Sequence, residues 1–455
     1  MKNNTIFIPM VGILGLALGA CTFEMAPAQP VWQGAASVDV GAPNTGQNNT
    51  GNGTPIKNTT GWAEQVQEPA IALVAGAAHV CALAASGDVS CWGKNDVGQL
   101  GYGHTEAIGD DEPVASHGTV DVGDLVVGLA AGNQHTCAIL EKGSIRCWGY
   151  GGDLALGNGN GKYYTVGDDE VPGEMKDAII YSNSPFAQLA AGDHHTCMLT
   201  QKGAIKCWGD SPEGALGYGY STKTGGWLGN VPIGEAATFL VAGTQHTCAV
   251  VEGGKVRCWG EATSLGYGGM DNIGDDEAPS KFEALSLGEA VVELAAGDRH
   301  TCALTVSGAV RCWGQAQDGV LGHANNTDIK YAEGAEIVKL GGPSVQIAAG
   351  HRHTCALLLD GTVRCWGKGS FGALGYGNTG DVGDDELPAV AGAVELPELV
   401  TQLVAGADFT CALLDSGAVQ CWGSGLDGRL GYGHEQTIGD DETPATRKSI
   451  LPFGH

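Results

Sequence analysis

The sequence has few basic residues: 23 lysines and arginines are outnumbered by 51 aspartates and glutamates, and the formal net charge is −28. A surface of this sign repels the phosphates of DNA and RNA, because proteins that bind them need basic groups to displace counterions. The composition therefore excludes nucleic acid as an expected partner.

Motifs of catalysis and cofactor binding are also missing. The chain contains no Walker loop, no HExxH, no GxSxG and no Rossmann fingerprint. An active site needs an unrepeated constellation of groups, such as a nucleophile beside a base. We therefore expect a protein that is not an enzyme and that holds no cofactor.

The apolar run near the start of the chain, from Ile6 to Leu18, is too short to cross a bilayer comfortably. With Lys2 before it, the run is typical of an export signal. The sequence LGAC that ends at Cys21 resembles the lipobox of bacterial lipoproteins, which implies lipidation of Cys21 and cleavage before it. We therefore predict a lipoprotein signal peptide over residues 1–20 and an exported protein, anchored by lipid to the bacterial outer membrane or cell surface. The alternative is a simple secretory signal with a chance cysteine.

Residues 21–66 are rich in Gly, Asn, Thr and Pro, as in GAPNTGQNNTGNGTP, and offer little that could form a core. This composition predicts a flexible, disordered tether. Its length would hold the rest of the protein away from a membrane surface.

Glycine is abundant, at 75 of 455 residues, and many of these glycines belong to an internal repeat. The unit LAAGDRHTCALTVSGAVRCWG at residues 294–314 recurs seven times, and its alanine-glycine glycines are 51 to 60 residues apart. HTCAL and AVRCW are short β-type runs, and a glycine before the second run favours a hairpin with positive φ. The period suits one four-stranded blade of a β-propeller.

The patterns AAGxxHTCAL, GxVxCWG and GxLGYG resemble the repeats of the regulator of chromosome condensation family. This resemblance implies an all-β fold over residues 67–455, a closed seven-bladed β-propeller whose blades have four antiparallel strands. The family includes nucleotide exchange factors, light receptors and a secreted β-lactamase inhibitor, so it leaves the activity open. The segments SILPFG at residues 449–454 and PAIALVAG at 69–76 match two consecutive parts of an internal linker. We therefore expect the C-terminal strand to complete the first blade of a monomeric ring.

Of the 15 cysteines, Cys21 belongs to the lipobox, and the other 14 form seven pairs ten residues apart. In a symmetric hairpin such partners lie opposite each other, and an exported protein meets oxidising conditions. We predict the disulfides Cys81–Cys91, Cys137–Cys147, Cys197–Cys207, Cys248–Cys258, Cys302–Cys312, Cys355–Cys365 and Cys411–Cys421. A rival interpretation is zinc, because His300 lies on the same strand face as Cys302. Against it, the seventh unit has Phe409 in the histidine position, and no fourth ligand recurs.

The acidic motif GDDE follows the hairpin in five units. Its carboxylates suggest calcium as a weak alternative, but adjacent side chains rarely converge on one ion, and the spacing is not that of an EF-hand. We expect structural loops and no metal. The calcium alternative concerns Asp110, Asp111, Glu112, Asp275, Asp276 and Glu277.

Departures from the repeat are free to carry function. The second, third and fifth units differ most after their hairpins, and the candidate partner-binding residues there are Tyr163, Tyr164, Lys223, Trp227, His323, Asn325 and Tyr331. We predict a noncatalytic scaffold of the cell envelope that binds an unknown protein partner through propeller loops, with the membrane reached only by the lipid. The alternatives are guanine nucleotide exchange, as in eukaryotic members of the family, and a calcium-assisted or glycan-binding adhesin.

Overall fold

The computed structural model describes residues 68–159, 164–180, 182–226, 229–269 and 271–453. The predicted signal peptide and tether, residues 1–66, lie outside these residues. Within the described part, the strands form seven antiparallel sheets that follow one another along the chain. No helix of this part is long and apolar enough to cross a membrane.

Each sheet consists of one repeat unit, and its strands are adjacent in chain order. The seven sheets are, in order, β1 (Ala70–Ala75), β2 (His79–Ala84) and β3 (Val89–Gly93); β4 (Val126–Ala131), β5 (His135–Leu140) and β6 (Ile145–Gly149); β7 (Phe186–Ala191), β8 (His195–Thr200), β9 (Ile205–Ser211) and β10 (Thr222–Thr224); β11 (Ala237–Ala242), β12 (His246–Val251) and β13 (Lys255–Gly260); β14 (Val291–Ala296), β15 (His300–Thr305) and β16 (Val310–Gly314); β17 (Ser344–Ala349), β18 (His353–Leu358) and β19 (Val363–Gly367); β20 (Val400–Ala405), β21 (Phe409–Leu414) and β22 (Val419–Gly423).

Helical structure is limited to short turns between these strands. One α-helix, α1, spans Pro388–Ala391. The described 3-10 helices are Val114–His117, Pro172–Glu174, Glu252–Gly254, Ala262–Ser264, Pro279–Lys281, Gln317–Gly319, Ala332–Gly334, Ser370–Gly372, Leu426–Gly428 and Pro444–Thr446. The fold is therefore all-β, as the repeat predicts.

The middle strand of every sheet is buried along its whole length. Both faces of such a strand pack against neighbouring sheets, which explains why HTCAL does not alternate between buried apolar and exposed polar side chains. The hairpin that follows turns at a glycine with positive φ, for example 91° at Gly87 and 83° at Gly308. The predicted hairpins are therefore confirmed.

The prediction of four strands in every blade is wrong for six of the seven sheets, which have three. In those six, an isolated bridge stands where the fourth strand would pair, as between Gly93 and Ile108. In several of these sheets a tyrosine of the GxLGYG segment lies at the outer edge: Cys365 N donates to Tyr376 Oη at 3.0 Å, and that hydroxyl donates to Cys365 O at 3.0 Å. A side chain thus satisfies backbone groups that would otherwise recruit another strand.

Neighbouring sheets are connected by a buried polar chain that recurs around the molecule. His195 Nε2 lies 2.9 Å from Thr247 Oγ1 in the next unit, and Thr247 Oγ1 donates to Ala215 O at 2.9 Å. Because the threonine proton goes to the carbonyl, the histidine donates from Nε2. Burial lowers the pKa of His195 to about 3, so the ring is neutral and its Nδ1 carries no proton. The six pairs of this kind are His79–Thr136, His135–Thr196, His195–Thr247, His246–Thr301, His300–Thr354 and His353–Thr410.

Seven tryptophans from the CWG motifs are among the largest fully buried side chains. Five of them donate Nε1–H to a carbonyl of the preceding unit, as Trp259 does to Ala215 O at 2.8 Å. That carbonyl is the same one that accepts the Thr247 hydroxyl. One backbone oxygen therefore fixes two side chains of the next sheet.

The glycine of the AAG motif allows the histidine to lie against the backbone. A Cβ on Gly76 would come 2.4 Å from His79 Cε1 and 2.3 Å from Gly132 O of the next unit. Any larger residue would displace the ring or the neighbouring sheet. The repeated AAGxxH pattern is therefore one packing unit.

The seventh sheet contacts the first in the same way as other neighbours. Gln402 Nε2 donates to Leu73 O at 3.0 Å, and Gln402 Oε1 accepts from Leu73 N at 2.8 Å. Gly433 N donates to Gly109 O at 3.0 Å. The His–Thr pair is replaced here by two buried apolar residues, Phe409 and Val80.

The expectation that the C-terminal strand completes the first blade is wrong. Ile450 pairs with Val419 inside the seventh sheet, with Ile450 N donating to Val419 O at 2.8 Å. The innermost strand of the first sheet is β1, which is the first described strand of the chain. Each unit therefore supplies the strands of its own sheet, and the first and seventh units contact each other through side chains and loops.

The 14 repeat cysteines form seven disulfides in the predicted pairs, with Cα–Cα distances of 4.0–4.1 Å. Each pair joins directly opposed residues of the second and third strands. Opposed residues are this close at positions that do not exchange backbone hydrogen bonds. The tyrosine hydroxyl then satisfies the cysteine N–H in several units.

Glu293 replaces a glutamine that bridges neighbouring sheets. Gln346 bonds to both backbone groups of Leu403, and Gln188 bonds to both of Leu240. The third residue of β14 is Glu293, whose carboxyl accepts a hydrogen bond from the backbone of Ile347. Burial raises its pKa to about 8, against the weaker opposing effect of that bond. A neutral carboxyl can both donate and accept, as the glutamines do.

We expect Glu293→Gln to stabilise the protein at high pH. Because the folded pKa is raised, this glutamate contributes stability that is complete below about pH 4.5 and is lost as the pH rises through about 8. The variant should gain about 2 kcal/mol in free energy of unfolding at pH 9 and little at pH 5, after allowance for partial access to water. Urea titrations at both pH values measure this. Gln346→Glu is the matched control, and it should acquire the same pH dependence; equal gains at both pH values would contradict the assignment.

Candidate binding surface

The fifth unit departs from the repeat at the position where five other units carry GDDE. At this position its backbone contacts with the fourth unit differ from those at the boundary between the third and fourth units. Gly268 N donates to Lys330 O at 2.8 Å, and Ala332 N donates to Gly266 O at 2.9 Å. These bonds bring Tyr331 against Tyr267 in an isolated antiparallel bridge. At the boundary between the third and fourth units, the acidic loop lies in this place, and Gly219 N donates to Gly274 O.

The departure leaves a cavity of about 610 Å³ between the two units, which we call the fourth–fifth groove. Its aromatic lining consists of Tyr267, Phe282 and Tyr331. The rings of Tyr267 and Phe282 are 5.7 Å apart and tilted, while Tyr331 is 63% exposed. The volume lies within the range of sites that bind ligands, which is roughly 300–1,000 Å³.

The groove is strongly acidic. Five carboxylates line it, and no lysine or arginine is among the described residues of its wall; the carboxylates belong to Asp271, Asp276, Glu277, Glu283 and Glu333. Burial, then the neighbouring Asp276 and Asp275, raises the pKa of Glu277 to about 7. Glu277 Oε1 is buried without a hydrogen-bond partner. The groove thus combines negative charge, an unsatisfied acceptor and exposed aromatic rings.

The predicted basic contact at Lys223 is neutralised by its neighbours. Lys223 Nζ lies 2.8 Å from Asp210 Oδ2 and 3.5 Å from Asp153 Oδ1. Although burial works against its charge, the bonds to Asp210 and Asp153 hold the pKa of Lys223 above its ordinary value. Asp153 also lies 2.6 Å from His194 Nδ1. These groups form an ion-pair cluster between the second and third units, away from the fourth–fifth groove.

The other candidates do not converge on one site. Tyr163 and Trp227 lie outside the described residues, and Tyr164 is a half-exposed side chain of the second unit. Asn325 forms a turn, accepting from Thr327 N and donating to His323 O, both at 2.9 Å. Of the five predicted residues that the structure describes, Tyr331 alone lines the groove.

His323 holds the position of the GxLGYG tyrosine in its unit and is half-buried. Burial lowers its pKa, and its Nε2 is buried without a partner. A tyrosine in this position reaches the cysteine backbone of its own sheet. The departure at His323 therefore changes the outer edge of the fifth sheet.

A small cavity of about 80 Å³ lies on the axis of the molecule and is lined by alanine and glycine from all seven units. The side chain of Asp193 lies at its wall; burial raises the pKa of this group, and His351 and His194 oppose the shift. The cavity is too small for a peptide or a nucleotide.

The five acidic loops each bring three carboxylates within 4.8 Å of one another, and the middle aspartate is exposed in each; they are Asp110–Glu112, Asp168–Glu170, Asp275–Glu277, Asp384–Glu386 and Asp440–Glu442. The loops are also held by internal bonds, as Gly109 N donates to Glu112 Oε1 at 3.1 Å. This bond supports a structural role in the turn. The calcium alternative stays a prediction.

The cysteines and histidine proposed as zinc ligands are engaged in other bonds in this structure. The cysteines are bonded to each other, and His300 Nε2 is 2.9 Å from Thr354 Oγ1. The histidine instead belongs to the chain of hydrogen bonds between sheets.

Sequence reasoning missed most of the groove. Tyr267 belongs to the repeated GxLGYG segment, so it looked structural, and its hydroxyl does accept a bond from Cys258 N at 3.5 Å. Phe282 lies just after a 3-10 helix, where the equivalent residue of the sixth unit is Ala391. A bulky residue at that position was the available signal.

Comparison with protein families supports the repeat. A profile of the regulator of chromosome condensation (RCC1) repeat matches residues 70–99, 126–153, 186–215, 238–264, 291–319, 345–373 and 400–429. A second profile of this repeat matches 86–139 and 360–413. All seven units are therefore recognised.

Similar proteins of known name have diverse roles. The chain is 32% identical to the ultraviolet-B receptor UVR8 of Arabidopsis thaliana, over 82% of this chain and 81% of the receptor. It is 27% identical to Protein pim1 of Schizosaccharomyces pombe, over 76% of this chain and 68% of that protein. It is also 31% identical to the E3 ubiquitin-protein ligase HERC2 of Homo sapiens, over 69% of this chain and 6% of the ligase.

Solved structures of similar fold include human WBSCR16, with a TM-score of 0.64 and 20% identity over 77% of this chain and 88% of that one. Yeast RCC1 (Prp20), in a structure with Kap60, has a TM-score of 0.58 and 20% identity over 75% of this chain and 79% of that one. At this level of identity, the likeness concerns the fold alone. The seven sheets match a seven-bladed propeller.

Proposed function

Since the chain belongs to the regulator of chromosome condensation repeat family, we propose that it is a noncatalytic scaffold that binds a protein partner through the loops of its propeller. The fourth–fifth groove is the observation that carries this proposal, because it arises where the fifth unit departs from an otherwise regular repeat. Regular units are explained by packing between sheets. A departure that exposes aromatic rings beside carboxylates is typical of a recognition surface.

A similar protein of yeast binds other proteins, which supports the proposed function. Prp20p of Saccharomyces cerevisiae has a structure that is described with its binding properties to Gsp1p and histones. The yeast protein was also solved bound to Kap60. We extend to this chain only the use of the propeller as a protein-binding body.

We also propose that the propeller is a closed, monomeric ring. The bonds from Gln402 to Leu73 and from Gly433 to Gly109 support closure, since the same contacts occur between consecutive units elsewhere. A closed ring leaves no sheet face at the ends of the array for another chain. Small-angle scattering and sedimentation of the full chain would measure shape and mass.

Export and lipid anchoring through Cys21 complete the proposal. The LGAC sequence after a short apolar run and the even number of cysteines beyond Cys21 support it. The expected site of action is the bacterial cell envelope or surface. Mass spectrometry of the mature N-terminus would find a lipidated Cys21, and an unmodified or uncleaved terminus would contradict the anchor.

The binding function can be tested by crosslinking the full tagged chain in its own cells. We expect one or a few proteins to crosslink to the loops between units, and the crosslinks should be absent with a tag exported alone. Recovery of no specific protein would contradict the scaffold. Guanine nucleotide exchange and glycan or calcium-assisted adhesion stay predictions, and they are tested by GDP release from small GTPases and by binding to glycans with and without a chelator.

A further inference from the structure

The chemistry of the fourth–fifth groove identifies the class of segment that it accepts. Building on the proposed scaffold function, we propose that the groove binds a lysine- or arginine-rich segment of a protein partner, with a cationic side chain against Tyr331 and its neighbouring aromatic rings. The proposed occupant is a basic peptide segment, and the evidence for it is the charge of the groove and the exposure of Tyr331.

Charge complementarity is the first part of that argument. The wall carries five carboxylates and, among its described residues, no basic side chain. Guanidinium and ammonium groups pair with carboxylates through charge-assisted hydrogen bonds. An acidic segment would bring like charges together.

The aromatic rings are the second part. Tyr331 is 63% exposed, whereas Tyr267 and Phe282 are partly buried and 5.7 Å apart. A cation near the face of a tyrosine or phenylalanine ring is attracted by the ring quadrupole, and arginine also stacks on it. Exposed rings next to carboxylates thus favour an organic cation with an apolar stem over a bare metal ion.

The position in the fold is the third part. At the third–fourth boundary, the equivalent place is occupied by the acidic loop, where Gly219 N bonds to Gly274 O. Between the fourth and fifth units, Tyr331 replaces that loop against Gly268. The groove is therefore a local property of this boundary, rather than a general consequence of the net charge.

The test measures binding of a fluorescein-labelled peptide of alternating arginine and glycine to the purified full chain, with a citrulline peptide of the same length as reference. We expect the arginine peptide to bind and the citrulline peptide to bind at least tenfold more weakly. Because the whole protein is acidic, the informative variants change the groove with little change in charge. Tyr331→Ala should weaken binding about tenfold, and Glu333→Gln about threefold.

The matched controls are Tyr220→Ala and Glu336→Gln, since both residues are exposed and neither lines the groove. They should change affinity less than twofold, and thermal melting should show that all four variants fold. Wild-type affinity in Tyr331→Ala, equal binding of the two peptides, or tighter binding of tetramethylammonium than of the peptide would each overturn the proposal. Absence of peptide binding together with a crosslinked partner would overturn the groove assignment and leave the scaffold function standing.

Discussion

Lowering the pH from 7 to 5 is expected to remove at least about 5 kcal/mol from the free energy of unfolding. The cause is the set of six buried histidines that bond to the threonines of the next unit. Burial lowers their pKa values to about 3 or 4, with neighbouring histidines adding to the effect in several cases. A proton on the bare Nδ1 would place an unpaired donor and a charge in the interior.

The sign follows from the direction of the shift. In the unfolded chain these histidines titrate near pH 6.5, so at lower pH the unfolded state binds more protons than the folded state. Stability is therefore complete above about pH 6.5 and is lost as the pH falls toward the folded values. Each histidine contributes about 2 kcal/mol of loss between pH 7 and 5, and the six together about 11 kcal/mol.

Glutamates with raised pKa values act in the opposite direction and reduce the net effect. Burial, then neighbouring aspartates, raises the pKa of Glu170 and Glu277 to about 7, while burial raises that of Glu293 to about 8. Two of the three lie in partly exposed loops, where solvent screening limits their contribution. The six histidines therefore dominate between pH 6.5 and 5.

The chain provides its own control for this prediction. The seventh and first units carry Phe409 and Val80 where other neighbours carry histidine and threonine. The double variant His300→Phe with Thr354→Val copies that pair. It removes one of the six buried histidines, so the pH dependence of the free energy of unfolding should fall by about one sixth. Urea unfolding followed by tryptophan fluorescence at pH 7, 6 and 5 measures both proteins. A flat stability between pH 7 and 5 in the wild type would show that the histidines are not buried and neutral.

Reduction of the seven disulfides is expected to prevent the chain from refolding. For a loop of this size, the chain-entropy relation gives about 2.8 kcal/mol per bridge, and seven bridges give about 20 kcal/mol. This sum exceeds the usual stability of a native protein, which is about 5–15 kcal/mol. Strain in cross-strand bridges lowers the stabilisation that each bridge contributes. The loss of half of the summed stabilisation would still be enough to prevent refolding.

One bridge can be tested separately. Cys302→Ala with Cys312→Ala should lower the free energy of unfolding by about 2.8 kcal/mol or somewhat less, and urea titration of the oxidised protein measures it. Cys21→Ser is the matched control, because Cys21 lies outside the seven pairs. Peptide mapping without reductant should find only bridges between cysteines ten residues apart. A bridge between two units would contradict the pairing.

The sequence predicted the repeated parts of this fold well, because each repeated residue has a local cause. A glycine before the second hairpin strand marks a turn with positive φ, and cysteines ten residues apart mark opposed strand positions. The number of strands was predicted less well. The GxLGYG tyrosine satisfies the outer edge with its hydroxyl, and no pattern of hydrophobicity reports a bond from Cys365 N to Tyr376 Oη.

Of the candidate partner-binding residues that the structure describes, only Tyr331 lies in the groove, since the groove arises from two units that meet in space. Asp276 and Glu277 also line it, but they were predicted only as a weak calcium alternative. Phe282 and Glu333 are separated along the chain, and their proximity depends on how the fifth unit approaches the fourth. Lys223 shows the opposite error: its charge suggested a contact for a partner, but Asp210 and Asp153 already pair with it. A repeated motif predicts the local structure of one unit, whereas a site between two units depends on how those units are placed relative to each other.

The pair of Phe409 and Val80 also has a consequence for how many units the molecule contains. If the sixth unit met the first, His353 would face Val80, and its N–H would lose the hydroxyl that now accepts it. If the seventh met the second, Phe409 would face Thr136, which now accepts from His79. A buried donor or acceptor left without its partner costs about 1–3 kcal/mol. The apolar pair thus favours assembly of all seven units, because an assembly that skipped a terminal unit would bury an unpaired polar group.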